Sequence, residues 1–129
     1  MERIKILVVD DSLTIRAMIE TLLDQDDDLI VVGVARNAEE AFAFIAEHDP
    51  DVVTLDVAMP GMDGMELLRK IMADEPRPVI MLSSLMREGD PLMEAALAAG
   101  AKACFNKSRV LQEAPRLLEI IKQVAVRRA

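Results

Sequence analysis

Three carboxylates stand at the ends of two apolar runs: Asp10 and Asp11 close the run 4–9, and Asp56 closes the run 52–55. Both runs are short, β-branched and bounded by turn formers, which reads as buried strands of a parallel sheet with no polar face. Neighbouring parallel strands bring their acidic ends to one edge. There, carboxylates roughly 4 to 5 Å apart repel by about 3 to 4 kcal/mol per pair at an effective dielectric near 20. A hard divalent cation with oxygen ligands, Mg²⁺ above all, offsets that repulsion and makes the cluster a site for phosphoryl chemistry. On this reading only a metal reconciles the three acids, and removing Asp11 or Asp56 should raise the stability of the metal-free chain.

The elements that must position these acids alternate five times between strand and helix signals, the pattern of a parallel sheet with helices on both faces. Strand one is 4–9. Helix one starts at Ser12 as N-cap, with Ile15, Met18, Ile19, Leu22 and Leu23 at the spacing of a core-facing stripe, and the acidic stretch 24–28 ends it. Strand two is about 30–35. Asn37-Ala38-Glu39-Glu40 offers a capping box for a helix through Glu47, broken by Asp49-Pro50. Strand three is 51–56, followed by the loop 57–64 and a helix over about 65–73. Pro76 and Pro78 mark a boundary before strand four, 79–82. Asp90-Pro91 places an N-cap and an N1 proline before a helix that Gly100 closes. Strand five is about 102–105, and a last helix begins near 112–115, with Leu117, Leu118, Ile121, Val124 and Ala125 on one side.

In open α/β sheets, sites form beyond the carboxyl ends of the strands. Ser83 and Ser84 follow strand four there, and Asn106-Lys107 follows strand five. One edge therefore collects a carboxylate pair, a lone carboxylate, two hydroxyls and an ammonium. Phosphoryl transfer to a carboxylate needs such a set: a cation between nucleophile and phosphate, a lysine to balance the incoming charge, and a hydroxyl to bond a phosphate oxygen.

Composition narrows the function. With 129 residues the chain suits one domain, and 52% apolar but only 2% aromatic residues suit helices packed on a sheet. A net charge of -8 argues against a nucleic-acid surface. The lone Cys104 excludes an intrachain disulfide and fits a reducing compartment. No apolar stretch approaches the roughly 20 residues that span a bilayer, so no membrane partner and a cytoplasmic location are expected.

The motifs Val8-Val9-Asp10-Asp11-Ser12, Leu55-Asp56-Val57-Ala58-Met59-Pro60-Gly61-Met62-Asp63-Gly64, Met81-Leu82-Ser83-Ser84 and Gly100-Ala101 followed by Lys107 resemble, from end to end, a receiver domain of two-component response regulators. The segment 51–64 with 77–85 is most similar to receivers of chemotaxis methylesterases. The chain stops where their catalytic domain would begin, so a single domain over 1–129 with no separate enzymatic output is expected.

The resemblance implies a flavodoxin-like doubly wound sheet in the order 2-1-3-4-5. It makes Asp56 the phosphoacceptor, Asp11 a direct Mg²⁺ ligand, Asp10 an indirect one and the Ala58 backbone carbonyl a third. Ser83, with Ser84 beside it, becomes the switch hydroxyl and Lys107 the phosphate-binding cation. The implied donor is a sensor histidine kinase or phosphotransfer protein. The implied target docks on the face of helix four, strand five and helix five, around Leu85, Met86, Leu92, Met93 and Cys104. Two positions depart from the family. Cys104 stands where many receivers carry Tyr or Phe, and Ser108 stands where a proline commonly follows the lysine, leaving no support for a cis peptide bond.

Rival readings have their own requirements. A haloacid dehalogenase-type phosphatase also uses a strand-end aspartate but needs an acid two residues later, where Ala58 stands. A nucleotide-binding module needs anion-binding donors after strand one, where Asp10 and Asp11 would repel a phosphate. A receiver that never takes phosphate would act only as a binding module. Taken singly, Lys107 reads as a solvated charge, Ser83 as a loop hydrogen-bonder and His48 as a cation at a helix end. Asp24 and Asp26 to Asp28 read as a solvated turn.

Overall fold

The computed structural model describes residues 3–57, 64–83 and 91–126. The chain runs β1 (Ile4–Val9), α1 (Leu13–Asp24), β2 (Leu29–Ala35), α2 (Ala38–His48), β3 (Val52–Asp56), α3 (Gly64–Asp74), β4 (Val79–Ser83), α4 (Pro91–Ala98), β5 (Ala103–Asn106), a 3₁₀ turn (Lys107–Arg109) and α5 (Ala114–Val126). The five strands are parallel in the order β2-β1-β3-β4-β5. Each inner strand is buried on both faces, as its unbroken apolar run requires.

Strand alternation splits the interior in two. Leu7, Val9, Val53, Leu55, Val79 and Met81 face one way and pack with Ala41, Ile45, Leu67, Leu68, Ile71 and Ala96 of α2, α3 and α4. Ile6, Val8, Val52, Ile80, Leu82 and Phe105 face the other way, onto Ile19, Leu22 and Leu23 of α1 and Leu117, Ile121 and Val124 of α5. Leu118, expected on the core stripe of α5, is only partly buried at its margin.

The helix ends follow local chemistry. Ser12 Oγ accepts from the Ile15 N–H and Asn37 Oδ1 from the Glu40 N–H, so both expected N-caps form. The capping box itself is displaced: the Glu40 carboxylate accepts from the N–H of Arg36 at 2.8 Å, and its other oxygen pairs with the Arg36 guanidinium at 3.1 Å. Asp49 ends α2 in the left-handed region at φ 46°.

Several boundaries differ from the sequence reading. Leu29 pairs with Ile4 and is fully buried, so β2 starts one residue earlier. The Ser83–Asn106 pair carries β4 and β5 one residue further toward the carboxyl edge. Asp90, the expected cap of α4, lies outside the described residues.

Candidate functional site

Asp10 and Asp56 reach the carboxyl edge on adjacent strands. The Asp10 N–H donates to the Ala35 carbonyl at 3.0 Å, extending the β1–β2 ladder by one bond. Its Oδ1 accepts from the Ser12 N–H at 2.8 Å, tying the carboxylate to the first turn of α1. Asp56 is the last residue of β3 and pairs with Leu82 of β4, and the next N–H, that of Val57, donates to the Leu82 carbonyl at 3.0 Å. Both side chains point toward the α1/α5 layer, because they share parity with Val8 and Val52.

Gly64 secures the other side of Asp56. Its N–H donates to the Val57 carbonyl at 2.6 Å, and a Cβ at this position would overlap the Asp56 carbonyl oxygen and lie 2.7 Å from the Val57 Cα. The first turn of α3 thus sits directly on the backbone that carries the carboxylate, an approach only glycine permits.

Lys107 closes the cluster. Its Nζ lies 2.8 Å from Asp10 Oδ2 and 2.9 Å from Asp56 Oδ1, with the lysine side chain 12% exposed. Burial alone would pull the ammonium pKa down, but the contacts with the two carboxylates outweigh it and hold the value above the ordinary 10.5. This revises the expectation that only a metal could reconcile the acids. A single ammonium bridges the two buried ones and offsets part of their charge, whereas Asp11 is exposed at the rim.

The donor set nonetheless fits Mg²⁺: Asp10, Asp11 and Asp56 each offer a carboxylate oxygen, and these oxygens lie within 4.8 Å of one another. Ser83 ends β4 at the same edge, nearly buried, on the opposite pleat to Asp56. Ala58 and Ser84 lie outside the described residues. An open cleft of about 580 Å³ between α1 and α2, lined by Leu13, Arg16, Val34 and Phe44 among others, holds none of these groups.

Other expectations change with their surroundings. Leu92 and Met93, assigned to a docking face, pack partly buried against the core, as does Cys104; Leu97 is the large apolar side chain of α4 that is exposed, and Leu85 and Met86 lie outside the described residues. Burial pushes the Cys104 thiol up to about 11. The acidic turn is not merely solvated, since Lys122 of α5 lies 2.7 Å from Asp26 and 3.3 Å from Asp28. His48 ends α2 stacked on Phe44.

Asn106 carries a role that sequence reasoning missed. Its Oδ1 accepts both the N–H and the hydroxyl of Ser108, at 2.9 and 2.6 Å, in a turn without a cis peptide bond. The signal for it was the spacing of an Asn two residues before a Ser.

The response regulator receiver domain family matches residues 6–122. The protein-glutamate methylesterase/protein-glutamine glutaminase 2 of Nitratidesulfovibrio vulgaris is 44% identical over 131 residues, which cover 97% of this chain and 36% of that protein. The chain thus spans about a third of this relative's length. The response regulator domain of Thermotoga maritima CheB superposes with a TM-score of 0.91 at 39% identity, covering 96% of this chain and 97% of that one. CheY in a CheX-CheY-BeF3-Mg complex from Borrelia burgdorferi superposes with a TM-score of 0.75 at 31% identity, covering 91% and 90%. No helix of the described residues is long and apolar enough to cross a membrane.

Proposed function

The chain belongs to the response regulator receiver domain family, and from that premise we propose that Asp56 accepts a phosphoryl group from a sensor histidine kinase or phosphotransfer protein and that a protein partner reads the result. The observation that carries this reading is the buried Asp10–Lys107–Asp56 contact, with Asp11 at its rim. It offers a carboxylate nucleophile, a fixed cation and a hard-oxygen donor set at one edge of the sheet.

Asp10, Asp11 and Asp56 are the residues to hold Mg²⁺, with the Ala58 carbonyl as a further donor. Bound there, the ion supplies Lewis-acid neutralisation of phosphoryl oxygens. An Asp56 carboxylate oxygen forms the new bond to phosphorus while the bond to the donor's leaving atom breaks and that atom keeps the electron pair. The acyl phosphate that forms is a dianion, one charge more negative than the carboxylate it replaces; Lys107 offsets that added charge, and Ser83 donates a hydrogen bond from its hydroxyl to a phosphoryl oxygen. Engagement of Ser83, with Lys107 moving its contact from carboxylate to phosphoryl oxygen, biases the segment from β4 through α4 to β5, and the partner binds the face that changes. The Borrelia complex, a receiver relative bound to another protein, supports an output of this kind. The proposal concerns a receiver over 1–129 acting in the cytoplasm. The esterase and glutaminase activities named for the longer relative are that protein's.

Intact-mass analysis after Mg²⁺ and acetyl phosphate tests the reading. One base-labile phosphoryl group is expected on the wild type and none on Asp56→Asn. Equal labelling of both would overturn it.

A further inference from the structure

A lysine directly after a strand is a flexible four-carbon stem, and nothing in its own side chain directs it back over the sheet edge. In this chain no proline follows Lys107 to preset the turn, because the next residue is Ser108. The structure supplies a different device. Asn106 is anchored upstream by its pairing with Ser83, and its backbone is extended at φ -81° and ψ 124°. Its Oδ1 accepts two bonds from Ser108, and the Val110 N–H closes the same turn on the Lys107 carbonyl at 3.3 Å. Val110 is fully buried and anchors the downstream end. The Lys107 backbone is thereby held from both sides, with its ammonium on Asp10 and Asp56.

Ser108 is exposed, so water could satisfy both of its donors if Asn106 were absent. The two bonds are therefore not demanded by burial; their consequence is geometric. We propose that Asn106 is a positioning residue for phosphoryl transfer, acting through Ser108 and the Lys107 backbone without touching the reacting atoms. This rests on the reading of Asp56 as phosphoacceptor.

The test is a double-mutant cycle on the initial rate of labelling by acetyl phosphate with Mg²⁺. Asn106→Ala is expected to slow labelling roughly tenfold. Asn106→Asp, whose carboxylate accepts the same two donors, is expected to restore most of the rate. In a Lys107→Ala background, Asn106→Ala should cause no further loss. Multiplying losses in the double variant, or a wild-type rate in Asn106→Ala, would overturn the proposal.

Should Asn106→Ala fail to fold, Ser108→Ala removes one of the two bonds at an exposed position. It should give a smaller loss that also vanishes without Lys107; a loss that persists there would overturn the idea. An independent readout is the ¹³C side-chain signal of Lys107, expected to move toward those of exposed lysines in Asn106→Ala. If the wild type takes no phosphate at all, the receiver chemistry falls, and this signal still decides the positioning: an unmoved Lys107 resonance would end it.

Discussion

Two buried carboxylates share one ammonium, so Lys107 has a structural duty as well as a chemical one. Lys107→Met leaves Asp10 and Asp56 facing each other without that cation and is expected to destabilise the metal-free protein by about 3 kcal/mol in urea unfolding. Saturating Mg²⁺ should recover much of the deficit. The pH dependence follows from the raised lysine pKa. The folded state holds this proton more tightly than the unfolded chain, so the contribution is full below the unfolded value near 10.5 and is lost as pH rises through the higher folded one. The melting temperature of the wild type should therefore fall faster than that of Lys107→Met above that pH. The same contact tempers the expected effect of removing acids. Asp56→Ala leaves Lys107 matched one to one with Asp10 and Asp11→Ala removes an exposed charge, so both should stabilise the metal-free protein, Asp56→Ala by less than the repulsion alone implies because it also deletes a contact of Lys107. Cys104 offers a separate check. Burial raises its thiol to about 11, so at pH 8 iodoacetamide should modify the folded protein at least about tenfold more slowly than the unfolded chain, the scarcer thiolate being partly offset by its greater nucleophilicity.

At the scale of elements, opposite edges of the sheet divide the labour. On the carboxyl edge α3 begins on top of the Asp56 backbone, and Gly64→Ala would force that helix or the strand end to move. It is expected to cost about 1 to 3 kcal/mol and to slow acetyl phosphate labelling as well. On the amino edge the buried Arg77 joins two turns: Nη1 donates to Asp49 Oδ1 at 3.1 Å and to the Pro50 carbonyl at 3.0 Å, and Nε donates to the Glu75 carbonyl at 3.0 Å. Arg77→Ala strips these acceptors of their donor and is expected to cost about 2 to 4 kcal/mol. Arg77→Lys should rescue little, since an ammonium lacks the planar fork. At a temperature where the variant is folded, its labelling rate should equal that of the wild type. Chemical denaturation and labelling measured together separate the two edges.

For the whole molecule, Mg²⁺ is expected to raise the melting temperature saturably, because it binds a folded edge that the unfolded chain cannot assemble; the gain should shrink strongly in Asp11→Ala, and calorimetry of the two proteins decides it. Much of this architecture was legible beforehand. Five apolar runs separated by amphipathic stretches dictate a parallel sheet with two covered faces, and a strand buried on both sides can place a carboxylate only at its end. Asp10 and Asp56 were therefore visible as edge acids, and Ser12 and Asn37 as helix caps, from neighbours within a few residues. The strand order came from the motifs' family resemblance, since periodicity does not say which strands lie side by side. The counter-charge on Asp10 and Asp56, the glycine seated on the Asp56 backbone, the Arg77 link between turns and the Asn106–Ser108 turn were decided by tertiary structure. The sequence had brought Lys107 to the acid edge and carried the Asn-x-Ser spacing of that turn; which oxygens the ammonium meets, and where glycine and arginine touch distant backbone, depends on segments far apart in the chain, and local patterns carry no information about such meetings until the sheet is assembled.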